Sequence, residues 1–160
     1  MIHGLIDIQA LLVLVSANTA PVLAARMLGP RLAAPIDAHH RLRDGRPVFG
    51  AHKTWRGFIS GTLTAALVGS AIGLPISLAA GAGALALTGD LLSSFLKRRR
   101  GHASGTWIPG LDQLPEALLP LIAMKSALAM TWLDVALTAA VFTAAGTVTS
   151  RLNDSLVRRK

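Results

Sequence analysis

In the stretch TGDLLSSFLKRRR, Asp90, Ser93, Ser94 and Lys97 fall at spacings that place them on one face of a helix. The stripe opens with an acid inside an apolar run and ends in Lys97 followed by Arg98, Arg99 and Arg100. A second acid, Asp112, stands beyond the loop of residues 98–112, where it can return beside Asp90. Two carboxylates with a cluster of cations at one membrane face suit a magnesium ion bound together with substrate phosphates. Taken alone, the basic run equally suits a stop signal that holds a helix at the interface.

A second set of chemistry-bearing residues lies upstream. Asn18 and Pro21 break the regularity of the first apolar run. Asp37, an Asp44-Gly45-Arg46 turn, and Lys53-Thr54-Trp55-Arg56-Gly57 follow, the last opening a helix. Lys53 and Arg56 stand at that helix's N-terminus, where the helix dipole repels cations. A bound polyanion removes the conflict, because the same dipole favours phosphate; a topological role for the two charges explains them as well. Other chemistries find no support. The chain has no cysteine, so disulfides and thiolate sites are excluded. The histidines lack zinc-site spacing, and His39 and His40 read as loop residues. No nucleophile elbow or phosphate-binding glycine loop occurs.

The elements that must position these residues follow from hydropathy. The chain has 160 residues, 52% of them hydrophobic, and a mean hydropathy of +0.52. The uncharged run from Gly57 to Ala80 exceeds the roughly 20 residues needed to cross a bilayer, and Ile8 to Ala25, somewhat shorter, reads as a second span without the features of a removable signal peptide. The net charge of +8 resides in three clusters, Arg26 to Arg56, Lys97 to Arg100 and Arg151 to Lys160, with Lys125 the outlier. Charge clustered between apolar runs indicates topology rather than a nucleic-acid surface. The expectation is an all-α polytopic membrane protein, one domain over 1–160, with helices at about 4–27, 55–79, 82–97, 113–130 and 133–151. The N-terminus then lies outside and the basic loops and C-terminus inside, with turns at Gly81 to Gly83 and near Trp132 on the outer side. Helix 3 is expected to be short and helix 4 to be interrupted by Pro115 and Pro120. Gly57/Gly61 and Gly69/Gly73 have the spacing of close helix contacts. Lys125 is expected to snorkel or to pair with Glu116 or another buried acid, Asp134 to sit at the outer interface, and Trp107 and Trp132 to anchor at membrane boundaries. A small transporter or channel using Asp90 and Lys125, a non-catalytic membrane scaffold, and a CDP-alcohol phosphotransferase are the alternatives. The first needs charge spread through the membrane depth, the second leaves the paired acids unexplained, and the third needs further acids at four-residue spacing.

The ordered motifs Lys53-Thr54-Trp55-Arg56-Gly57, Gly89-Asp90 with Ser94 and Lys97-Arg98, and Pro109-Gly110 before Asp112-Gln113 resemble the CTP:phosphatidate cytidylyltransferase superfamily. Asn18/Pro21, Pro35-Ile36-Asp37 and Lys97-Arg98-Arg99-Gly101 make the resemblance closer to its compact CDP-archaeol synthase branch (CarS-like). It covers about Asn18 to Gln113. It implies a five-helix enzyme of a bacterial or archaeal cytoplasmic membrane with a cytoplasm-facing pocket. The implied reaction moves CMP from CTP to a lipid phosphate, ether or ester, releasing pyrophosphate with Mg2+ as cofactor; an oligomer is compatible. By the resemblance, Asp90 and Asp112 are metal ligands and, with Lys53 and Lys97, catalytic. Lys53, Arg56, Lys97 and Arg98 hold phosphates, and Asn18, Asp37, Thr54, Ser94 and Gln113 complete the substrate pocket. The chain departs from the larger enzymes in three places. No acid occurs in Gly101 to Gly105, Gly110-Leu111 stands in place of a Gly-His-Gly-Gly loop, and Pro115 then Glu116 stand where a second aspartate is expected. Glu116 or Asp37 is the candidate substitute.

Overall fold

The computed structural model describes residues 7–106, 108 and 110–157, with 149–157 described by backbone alone. Among these residues it contains five helices: α1 (Ile8–Leu28), α2 (Trp55–Ala71), α3 (Ile76–Arg99), α4 (Gln113–Met124) and α5 (Trp132–Val157). Two isolated β-bridges, Pro35 with Thr54 and Arg41 with Pro47, are the extended pairings among the described residues. Sequential helices pack against one another, and α1 also touches α3, α4 and α5. α1 and α3 are long and apolar enough to cross a membrane by length and composition, with mean hydropathies of 1.7 and 1.4 over their apolar windows.

The packing of α2 is inside out relative to a helix of a water-soluble bundle. α2 buries Gly57, Gly61, Ala65, Ala66 and Gly69 and exposes Ile59, Leu63 and Leu67 at 54%, 58% and 68%. In water, burial of apolar area would turn the large side chains inward. In lipid that drive vanishes, and small residues line the contacts so that backbones approach closely. Pro21 lacks the N–H that would bind the Ala17 carbonyl. That carbonyl faces Gly61 so closely that a β-carbon there would stand 2.5 Å from it. Gly57 packs on the Pro21 ring itself.

The break between α2 and α3 differs from the expected turn at Gly81 to Gly83. The chain turns at residues 72–75, where Gly73 adopts φ +88° and Pro75 caps α3. Gly81 and Gly83 lie inside α3, and Gly83 is pressed against Ala65. Gly73 therefore makes a turn rather than a helix contact, and α3 is 24 residues long rather than short. α4 ends at Met124, earlier than expected. Pro115 sits in its first turn, where no intrahelical N–H is needed, so of the two prolines only Pro120 lies in the helix body. The expected N-terminal start at residue 4 lies outside the described residues; Asp7 caps α1, accepting from the Ala10 N–H at 2.8 Å.

Candidate active site

Two loops and the adjoining ends of α2, α3 and α4 assemble the polar site. In the loop between α1 and α2, Asp37 is buried, and its carboxylate accepts backbone N–H groups from His39, Phe49 and Gly50 at 3.1, 3.0 and 2.8 Å. Burial pushes this carboxyl up, but the three hydrogen bonds outweigh it and hold Asp37 below its ordinary value. The chain is then led back by Ile36 N–H to Lys53 C=O and Trp55 N–H to Ala34 C=O, which delivers Lys53 to the mouth of α2. Thr54 caps that helix, accepting from the Gly57 N–H.

Lys53 Nζ lies 2.7 Å from both carboxylate oxygens of Asp90 on α3, and both side chains remain about one-quarter exposed. One helical turn onward, buried Ser93 donates to the Asp90 carbonyl. Further along, Lys97 Nζ meets Asp112 at 2.6 Å and donates to the Thr106 carbonyl at 2.7 Å. Asp112 in turn accepts from the Ile108 N–H, and Gln113 from the Gly110 N–H. Arg98 is only 3% exposed, and its Nε and Nη1 have no hydrogen-bond partner. Buried guanidinium N–H groups left without acceptors are costly, and an anion that supplies the acceptors relieves the cost.

α3 and α4 touch at Gly89. A β-carbon at Gly89 would collide with the carbonyl of Pro115 and the amide of Glu116. This contact sets Glu116 beside Asp90, where its carboxyl also feels Lys53, Lys97 and Asp112. Two cavities of ≈550 and ≈530 Å3 open around these groups. Both are lined by Asn18, His52, Lys53, Asp90 and Glu116, so the Lys53–Asp90 pair stands where they meet. Thr54 and Arg56 line the first; Ser94, Lys97, Arg98, Asp112 and Gln113 line the second.

Of the residues assigned in sequence to the substrate pocket, the metal or catalysis, Asp37 alone lines neither cavity; its oxygens are taken by backbone amides. Arg56 reaches the first cavity while donating to the Gly29 and Arg31 carbonyls. Lys125 does not pair with Glu116; it lies at the other end of α4, its ammonium 4.9 Å from the centre of the Trp132 ring. Trp107 lies outside the described residues. His52 was not singled out, yet it lines both cavities; only its position beside Lys53 would have marked it. Among the described residues, no three acid or histidine side chains converge as a preformed metal cage.

A sequence model described as CarS-like, CDP-archaeol synthase, matches residues 2–83. A CDP-archaeol synthase of Hyperthermus butylicus is 40% identical over 127 residues, covering 76% of this chain and 73% of that protein. The chain belongs to the CDP-archaeol synthase family. A relative of the same description from Staphylothermus marinus is 41% identical over 109 residues, which cover 64% of this chain but 58% of that protein. A solved structure described as an intramembrane enzyme for archaeal membrane lipids biosynthesis superposes with a TM-score of 0.72 at 30% identity, covering 89% of this chain and 91% of that one. The all-helical architecture thus extends over most of this family member, an integral membrane protein.

Proposed function

We propose that the protein transfers CMP from CTP to a lipid phosphate, forming a CDP-lipid and pyrophosphate. The observation that carries this reading is the meeting of two cavities at Lys53 and Asp90, with a buried Arg98 in one of them whose Nε and Nη1 lack hydrogen-bond acceptors. Family membership supports the same chemistry. The second cavity presents Lys53, Lys97 and Arg98 and suits the higher charge of a nucleoside triphosphate. The first, with Lys53 and Arg56 beside Pro21, Val22, Ala25 and Phe58, suits a phosphate on an apolar tail. Because the basic loops share this end of the bundle, we place it on the cytoplasmic side of a bacterial or archaeal membrane.

A phosphate oxygen of the lipid attacks the α-phosphorus of CTP. A new P–O bond forms, the bond to the β-phosphate's bridging oxygen breaks, and pyrophosphate departs. The attacking group is already an oxyanion at neutral pH, so the protein needs no strong general base. Its residues instead bring two anions together in line and neutralise charge as it shifts toward pyrophosphate. Lys53 at the junction is placed to bridge the two substrates, while Lys97 and Arg98 take the departing phosphates. Asp90 and Asp112, with Glu116 nearby, offer hard oxygen donors that fit Mg2+, which is held by one or two carboxylates together with substrate phosphates. The ion would supply Lewis-acid neutralisation of the phosphate oxygens.

The test is transfer of label from the α-phosphate of CTP into extractable lipid by purified protein, with diacyl and diether glycerol phosphates as parallel acceptors. Label is expected in lipid and to fall about 10³-fold in Asp90→Asn and Asp112→Asn, with monodispersity and thermal unfolding unchanged. Wild-type turnover in both variants would overturn the site.

A further inference from the structure

The Asp44-Gly45-Arg46 turn lies outside both cavities, yet it is tied to the end of α3 by a reciprocal set of bonds. Arg46 Nη1 donates to the Arg99 carbonyl at 2.6 Å and reaches the Arg98 carbonyl at 3.5 Å. Arg99 answers with Nη1 at 2.6 Å from both oxygens of Asp44 and with Nη2 on the Arg46 and Pro47 carbonyls. Asp44 is also held from its own side, accepting from the Arg46 N–H at 3.1 Å. The last carbonyls of a helix lack intrahelical donors, and a cation there is favoured by the dipole. Arg46 provides both a donor and a cation from 52 to 53 residues away.

Gly101 completes the fit. It follows α3 with φ +86°, a conformation that suits glycine, and a β-carbon there would stand 3.1 Å from the Arg46 guanidinium. The amides of Gly101 and His102 close the helix end onto the Arg98 and Lys97 carbonyls. The helix end held in this way, by Arg46 on the Arg99 and Arg98 carbonyls and by the Gly101 and His102 amides on those of Arg98 and Lys97, is the one whose Lys97 and Arg98 side chains enter the second cavity. Exposed ion pairs contribute little stability, so the importance of this one is geometric.

We infer that Arg46, locked by the Asp44–Arg99 pair, is a positioning residue that fixes Lys97 and Arg98 for the phosphates of the nucleotide. The inference rests on the proposed function only for the identity of that ligand. The experiment uses the full chain in lipid nanodiscs with Arg46→Ala, Arg46→Lys and Asp44→Asn. Steady-state KM for CTP and for the lipid phosphate is read beside amide hydrogen exchange at residues 100–102. In Arg46→Ala the KM for CTP rises about tenfold, kcat changes less, and the KM for the lipid phosphate is unchanged. Exchange at residues 100–102 accelerates about tenfold or more while α1 and α2 remain protected. Arg46→Lys, which keeps the charge, lies between Arg46→Ala and wild type. Asp44→Asn, which keeps an oxygen for the Arg46 N–H, shows a shift of about threefold. Unchanged exchange at residues 100–102 overturns the inference, as does an equal rise in both KM values or a loss confined to kcat. A wild-type protein that transfers no CMP counts against the proposed reaction alone; CTP binding measured directly, expected to weaken about tenfold in Arg46→Ala, then replaces KM beside the exchange result, and unchanged binding overturns the positioning role.

Discussion

The two ends of the bundle solve the same problem, polar groups at the margins of an apolar structure, in opposite ways. At the end that carries Lys125, most bonds are short in sequence. Asp134 accepts from the Thr131 N–H and hydroxyl, Asp7 accepts from Ala10, and Lys125 lies over Trp132. Two longer links, Gln9 donating to the Ile72 carbonyl and the Asp7 N–H donating to the Thr138 hydroxyl, again satisfy backbone groups at helix ends. At the other end, ion pairs join residues 37, 15 and 55 positions apart in sequence, Lys53 with Asp90, Lys97 with Asp112 and Arg99 with Asp44. There the buried guanidinium of Arg98 is left incomplete. Local capping holds a fold together. Distant charges gathered around an unfinished donor are what a ligand site requires.

The contrast can be broken by substitution. The largest effect beyond the acids is expected for Arg98→Met, which keeps the length and loses the donors. Turnover falls about 10²-fold while thermal stability is unchanged or rises, since an unsatisfied buried cation is removed. Lower stability with normal turnover, read by the CTP assay and a thermal melt, would make Arg98 structural. Gly89→Ala is next. Its β-carbon has no room against Pro115 and Glu116, so α4 must shift, with a stability loss of about 1–3 kcal/mol and a fall in turnover of at least about tenfold. The smallest effect is expected at the opposite end. Lys125→Met loses a cation–π contact at the protein surface, about 1 kcal/mol or less, with unaltered kinetics. A marked activity loss there would erase the distinction between the two ends.

The helix count was legible in the sequence because charge punctuates the apolar runs, and the link of Asp90 to Lys97 because a polar stripe repeats with helical period; the joining of Lys53 and Asp112 to them as one site was what the family resemblance implied. The α2–α3 boundary was less legible, since a glycine in an apolar run serves a turn or a close packing contact equally well. Gly73 proved to be the first and Gly83 the second. Nor does sequence distinguish an aspartate that accepts amides, as Asp37 does, from one that meets cations, as Asp90 does. That difference arises only when the loop of residues 29–54 folds back on itself. Pairing was hidden too. Two lysines and two aspartates allow more than one match, and the contact of Gly89 with the first turn of α4 helps to fix their arrangement.

The small-inside, large-outside packing of α2 also shapes how this chain can drift over generations. Positions such as Leu63 and Leu67, which would be costly to alter in a soluble bundle, face outward and can exchange freely among apolar residues. Gly61 and Ala65 admit almost nothing larger. Within this helix, identity should persist longest at the plainest residues, and the greasiest ones should carry the least ancestry.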